Sequence, residues 1–123
     1  MTILLRLSDD ATLFEVCYIG EIDHRVRVRA IHEMQHRLRD GWVKQLLIDF
    51  TRSQPTSPVD DEHADAVREA WMSSTFPRGA RIALLNPPDD YEDPMQQAGA
   101  AGHFVIRRFH DRATALAWLK GTL

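Results

Sequence analysis

The sequence predicts an α/β protein, with a mixed, largely parallel sheet of about five strands flanked by about four helices. Three observations carry this. Segments of strand character alternate with segments of helical period along the whole chain. Two of the strand segments, Leu46-Leu47-Ile48 and Ile82-Ala83-Leu84-Leu85, are apolar without alternation, as expected of strands covered on both faces. The first two strand segments are separated only by Asp9-Asp10-Ala11-Thr12, a polar turn that suits an antiparallel hairpin at one edge.

Taken in order, Ile3 to Ser8 is the first strand and Leu13 to Gly20 the second, with Phe14, Val16 and Tyr18 on one face. Asp23 is a good N-cap and Gly41 a good C′ residue for the helix between them. The apolar run at Leu46 gives the third strand, and after Asp49-Phe50 a loop is expected through Thr51, Ser53, Pro55, Thr56 and Ser57. A second helix is announced by Ser57 at N-cap, Pro58 at N1 and the acidic Asp60, Asp61 and Glu62. It runs to Ser74 and buries Val59, Val67, Ala70 and Trp71. The fourth strand, Ile82 to Leu85, leads into the stiff loop Asn86-Pro87-Pro88-Asp89-Asp90, and a short helix spans Asp93 to Ala101. Phe104-Val105-Ile106 is the last strand. Asp111 caps a closing helix whose Ala115, Leu116 and Leu119 face inward. Trp118 on that helix and His63 on the second are read as packing or surface residues.

The chain has 123 residues, enough for one domain, 1–123, with a hydrophobic core that needs neither disulfide nor metal. Its net charge of −3 provides no field toward nucleic acid or an anionic membrane. The single cysteine, Cys17, lies in an apolar run and reads as a small buried thiol. Ile3-Leu4-Leu5 is too short for a signal peptide or a membrane span, so a cytoplasmic protein is expected.

His32-Glu33-Met34-Gln35-His36 spells H-E-x-x-H, which on a helix can grip one Zn²⁺ with the Glu as general base. Helical phase argues against that use. At about 100° per residue, Val26, Ala30, Met34 and Leu38 form an apolar arc with Ile31 at its margin. Arg25, Arg29, His32, His36 and Arg39 form a stripe on the opposite side. Three guanidinium groups beside two imidazoles oppose a dication, whereas a zinc site needs neutral or negative, walled surroundings. Arg39 also stands where a longer zincin motif would have glycine. The stripe reads as a solvated face, with contact to an acidic partner or nucleic acid as an alternative. No aromatics interleave it to stack on bases, so no nucleic acid is expected.

The sequence has no glycine-rich phosphate loop, no G-x-S-x-G and no C-x-x-C. Ligands of open α/β sheets collect at the carboxyl ends of the strands. Asp49, Thr51, Asn86 and Asp89 are expected there if the strands are parallel. The plainer reading of Asp49 is that it bonds the amides of its own loop.

Over nearly its whole length the chain resembles the SpoIIAA-like (STAS-like) family of small bacterial α/β proteins. Gly20-Glu21-Ile22-Asp23 is similar to that family's G-x-I-[TD] step from second strand to first helix. Leu46-Leu47-Ile48-Asp49-Phe50-Thr51 is similar to its third strand ending in D-x-[ST], and Arg81-Ile82-Ala83-Leu84-Leu85 to its fourth. Phe109-His110-Asp111 through Trp118-Leu119 resembles its closing signature F-x-[DS]-x-x-x-A-x-x-W-L. The resemblance implies a regulatory module, as in anti-sigma-factor antagonists and the cytoplasmic parts of anion transporters. Some such domains carry a phosphorylatable D-S-[ST]-G at the start of the second helix. The corresponding stretch here, Thr56-Ser57-Pro58-Val59-Asp60-Asp61, has no Ser/Thr-Gly pair.

The expected function is therefore non-enzymatic binding or regulation, through contact with a protein partner or a small apolar, lipid-like ligand. Pairing with a second copy of the chain stays open. The expected surface comprises Asp49, Thr51, Ser53, Thr56, Ser57, Asn86 and Asp89, with the stripe Arg25, Arg29, His32, His36 and Arg39 as a second contact face. No cofactor, metal or membrane span is expected. A zinc hydrolase built on His32, Glu33 and His36 is the enzymatic alternative.

Overall fold

A computed structural model of the chain describes residues 2–8, 12–22, 24–37, 43–55, 69, 80–87 and 105–121. Five strands form one sheet: β1 (Thr2–Leu7), β2 (Leu13–Ile22), β3 (Gln45–Pro55), β4 (Arg81–Leu85) and β5 (Val105–Phe109), in the spatial order of the chain itself. β1 runs antiparallel to β2, and β2, β3, β4 and β5 run parallel to one another. The sheet is mixed and largely parallel, with the hairpin at one edge. Helix α1 (His24–Arg37) connects β2 to β3, and helix α2 (Arg112–Leu119) follows β5. Of the predicted second helix only Glu69 is described, and it is helical and exposed. The remainder of that helix, including Ser57, Pro58, Val59, His63, Val67, Ala70 and Trp71, lies outside the described residues. So do the predicted helix 93–101, Asp23, Gly41 and Phe104.

The alternation of β2 and β3 divides the core between the two sheet faces. On the first face Phe14, Val16, Tyr18, Leu46, Ile48, Phe50, Ile82 and Leu84 pack in one cluster with Val26, Ala30, Ile31 and Met34 of α1. On the second, Leu13, Leu47, Ala83, Leu85 and Phe109 pack with Ala115, Trp118 and Leu119 of α2. Phe109 and Trp118 meet with ring centroids 5.4 Å apart, so Trp118 belongs to the core. The Arg81 guanidinium bonds the Trp118 carbonyl at 2.6 Å and lies over its ring, tying the start of β4 to the end of α2.

Two expectations need correction. Cys17 is only partly buried, because the alternation that buries Val16 and Tyr18 under α1 turns Cys17 to the other face. The loop expected after Phe50 is strand as far as Pro55. Its polar residues concealed this. β4 pairs with β3 only over Gln45–Asp49, and beyond Asp49 the strand continues along β2, with Arg52, Ser53 and Gln54 opposite Ile19, Gly20 and Glu21. A strand that outruns its neighbour has no second layer of apolar residues to join. β3 therefore overhangs the end of β4, and the sheet has a step at Asp49–Leu85.

Candidate functional site at the sheet step

The step is where sequence-predicted residues meet. β4 ends at Leu85, and the next residue, Asn86, turns out of the sheet with a φ of 51°. Asparagine tolerates this left-handed conformation better than most side chains. Its N–H donates to the Phe109 carbonyl of β5 at 2.8 Å, and its side-chain Nδ2 donates to Thr51 Oγ1 on the overhanging part of β3 at 2.9 Å. Asn86 thus ties the carboxyl ends of β4 and β5 to the overhanging part of β3. Thr51 and Asn86 come together from 35 positions apart in sequence.

Asp49 and Ser53 have a different job. Between the pairs Cys17–Asp49 and Ile19–Arg52, β3 carries one residue more than β2, so it is bulged at Phe50-Thr51. A bulge takes backbone groups out of the ladder. Here the Thr51 N–H donates to Asp49 Oδ1 at 2.8 Å, and the Ser53 hydroxyl donates to the Phe50 carbonyl at 2.7 Å. The plainer expectation for Asp49, an amide-bonding carboxylate, is what the geometry contains. The bulge also puts Asp49 and Arg52 on the same face, each opposite a residue of β2 on that face. Phe50, between them, stays buried against Tyr18 at 5.2 Å.

Chemically, the step offers a hydroxyl and a carboxamide held by the sheet, with a carboxylate behind them. The bonds described leave the Thr51 hydroxyl proton and the Asn86 carbonyl oxygen for an outside partner. Donor and acceptor stand side by side there. Thr51 is exposed, Asn86 half-buried and Pro87 buried. Thr56, Ser57 and Asp89 lie outside the described residues.

Sequence reasoning missed Cys17 and Arg52, which lie beside Asp49. Burial raises the Cys17 thiol pKa above its ordinary value, and the Asp49 carboxylate raises it further; Arg52 acts in the opposite direction. The signal was the parity of β2, which places Cys17 on the face opposite Val16. On the same face, Arg112 at the start of α2 pairs with Glu15, and these two with Arg6 and Ser8 line a pocket of about 200 Å³.

On α1, Arg25, Arg29, His32, Glu33 and His36 are exposed, while Val26, Ala30, Ile31 and Met34 are buried. Arg27, at the edge of the apolar arc, is buried too. Among the described residues no three His, Cys, Asp or Glu side chains converge in a group that could hold a metal ion. Arg39 lies outside the described residues. No described helix is long and apolar enough to cross a membrane.

No family model matches the chain, and no curated protein does. Solved structures do. The anti-sigma factor antagonist SpoIIAA in its unphosphorylated form is similar over 98% of this chain and 99% of that one, with a TM-score of 0.54 at 15% identity. The Bacillus cell fate determinant SpoIIAA in its phosphorylated form is similar over 95% and 98%, with a TM-score of 0.51 at 16% identity. An uncharacterized protein of the DUF3478 family with a SpoIIAA-like fold, from Shewanella loihica PV-4, is similar over 96% and 92%, with a TM-score of 0.61 at 19% identity.

Proposed function

The chain has the SpoIIAA-like (STAS-like) fold, and we propose that it works on that fold as a non-enzymatic regulatory module that binds a protein partner through the sheet step. The observation that supports this reading most is the Asn86–Thr51 bond at 2.9 Å, which holds two polar side chains in register on an accessible edge. Strand ends fixed by a parallel sheet vary little in position, so a partner meets a preformed pattern at low ordering cost. The step is polar, which suits a hydrogen-bonding protein surface better than a lipid-like ligand. SpoIIAA, which shares this fold, is an anti-sigma factor antagonist, and a regulatory role for this chain is in keeping with that.

The test is site-specific photocrosslinking in living cells. A photoreactive residue in place of Gln54, exposed on the overhanging part of β3 next to the Thr51–Asn86 pair, is expected to give a discrete adduct with another protein. The same residue in place of Lys44, exposed at the opposite end of β3, is expected to give none. Asn86→Gly relieves the left-handed backbone and removes the amide, so it should keep the fold and weaken the Gln54 adduct. Identical adducts from both positions, or none from Gln54, would sink the proposal.

A further inference from the structure

We propose that the outer edge of β1 joins two copies of this chain, antiparallel, into one continuous sheet with its two-fold axis at Leu5. β1 lies at the edge of the sheet, two strands away from the step between β3 and β4. Among the described residues, β1 pairs with β2 alone, so its other edge is a row of backbone donors and acceptors. The 2.8 Å bond from the Ser8 N–H to the Leu13 carbonyl fixes the phase of the hairpin. Ser8 faces β2, and so, at a period of two, do Arg6 and Leu4. The backbone groups of Ile3, Leu5 and Leu7 face outward.

Edge strands are normally blunted by prolines, bulges or several charges. β1 has no proline, its register with β2 is unbroken, and it carries a single charge, Arg6. It also exposes two leucines, Leu4 at 50% and Leu7 at 46%. In a soluble domain such an edge is a site of pairing, and the remaining matter is what it pairs with.

The strand is complementary to itself in one register. A two-fold axis at Leu5 sets Ile3 opposite Leu7 of the other copy and Leu5 opposite Leu5. All three outward-facing residues then exchange backbone hydrogen bonds with their opposites. An axis at Leu4 would pair only Ile3 and Leu5 among the outward-facing described residues and leave the exposed Leu7 outside that apolar contact. An axis between residues would put the two apolar faces on opposite sides of the sheet. With the axis at Leu5, Leu7 packs against Ile3 on the α1 side, where Ile3 and Leu5 already lean on the core. On the other side Leu4 lies against the aliphatic stem of Arg6, and no like charges stand directly opposite each other, the two Arg6 side chains being diagonal neighbours. Isologous pairing of this kind is the commonest route to a homodimer. A strand of six residues buries little, so the dimer is weak and its population depends on concentration.

Analytical ultracentrifugation of the full chain tests this, with two variants of Leu4. The wild-type chain is expected to move from monomer toward twice 14.1 kDa as its concentration rises. Leu4→Arg opposes Arg6 of the other copy and should abolish the dimer. Leu4→Glu is equally polar but gains an ion pair with that Arg6, and should keep or tighten the dimer. Leu4 is half exposed and faces Cys17 within the chain, so both variants should fold, as near-UV circular dichroism can verify. A wild-type chain that stays monomeric at every concentration overturns the proposal. So does loss of the dimer in both variants alike, which marks a nonspecific apolar contact and not this register.

Discussion

Cys17 shows how one residue's chemistry follows from strand parity. Its side chain leaves the face covered by α1 and arrives opposite Asp49. Partial burial and then that carboxylate hold the thiol pKa above its usual value. Only the thiolate attacks an alkylating agent. Asp49→Asn keeps an oxygen for the Thr51 N–H and removes the charge. It should speed alkylation of Cys17 at mildly alkaline pH a few-fold, since each unit of pKa is about a factor of ten in thiolate. Arg52→Ala should slow it. Mass-spectrometric time courses with iodoacetamide measure both, and an unchanged rate in Asp49→Asn would show that the carboxylate does not act on the thiol. The sequence marks Asp49 and Thr51 as neighbours at a strand end, and Asn86 as the residue after the next strand. It does not reveal that Asp49 and Ser53 are occupied by a bulge, because an extra residue in a ladder leaves no trace in composition or period.

Among the elements, α2 depends on its cap. Asp111 Oδ2 accepts from the Thr114 N–H at 2.9 Å and from the Thr114 hydroxyl at 2.8 Å. These bonds, the backbone one first, lower the Asp111 pKa below the ordinary carboxylate value. A folded pKa lower than the unfolded one stabilises the fold above the unfolded value, and that stability is lost as pH falls through the folded one. Asp111→Ala should therefore lower the thermal midpoint at neutral pH. Asp111→Asn, still a good cap, should lower it less, and the gap between wild type and Asp111→Asn should narrow as the pH drops below the carboxylate range. Thermal scans across pH read this; a gap that widens in acid would mean the cap is not the source. The cap was legible at Asp111, as was α1 from Ala30 and Met34, because helix signals are local. The extent of β3 was not. Thr51, Arg52, Ser53 and Gln54 read as loop from their polarity, and only β2 alongside makes them strand.

At the scale of the molecule, β3 joins two cores that share no side chain. Leu47 is in the cluster of α2, and its neighbours Leu46 and Ile48 are in that of α1. Neither cluster can loosen without the strand that carries the other. The chain should therefore unfold in one transition, with tryptophan fluorescence and far-UV circular dichroism coincident. Met34→Ala, a truncation at a fully buried position, should cost about 2–5 kcal/mol and keep the transition single. Two separated transitions would contradict a single cooperative unit. The strand order has its own consequence. Because every strand lies beside its predecessor in the chain, the sheet can grow as the polypeptide leaves the ribosome: hairpin first, then one strand at a time on the same advancing border. No later strand has to be threaded between two earlier ones. Throughout that growth the flank laid down first, β1, stays open while the other is repeatedly covered, so a nascent chain on a polysome presents it to its neighbours before synthesis ends.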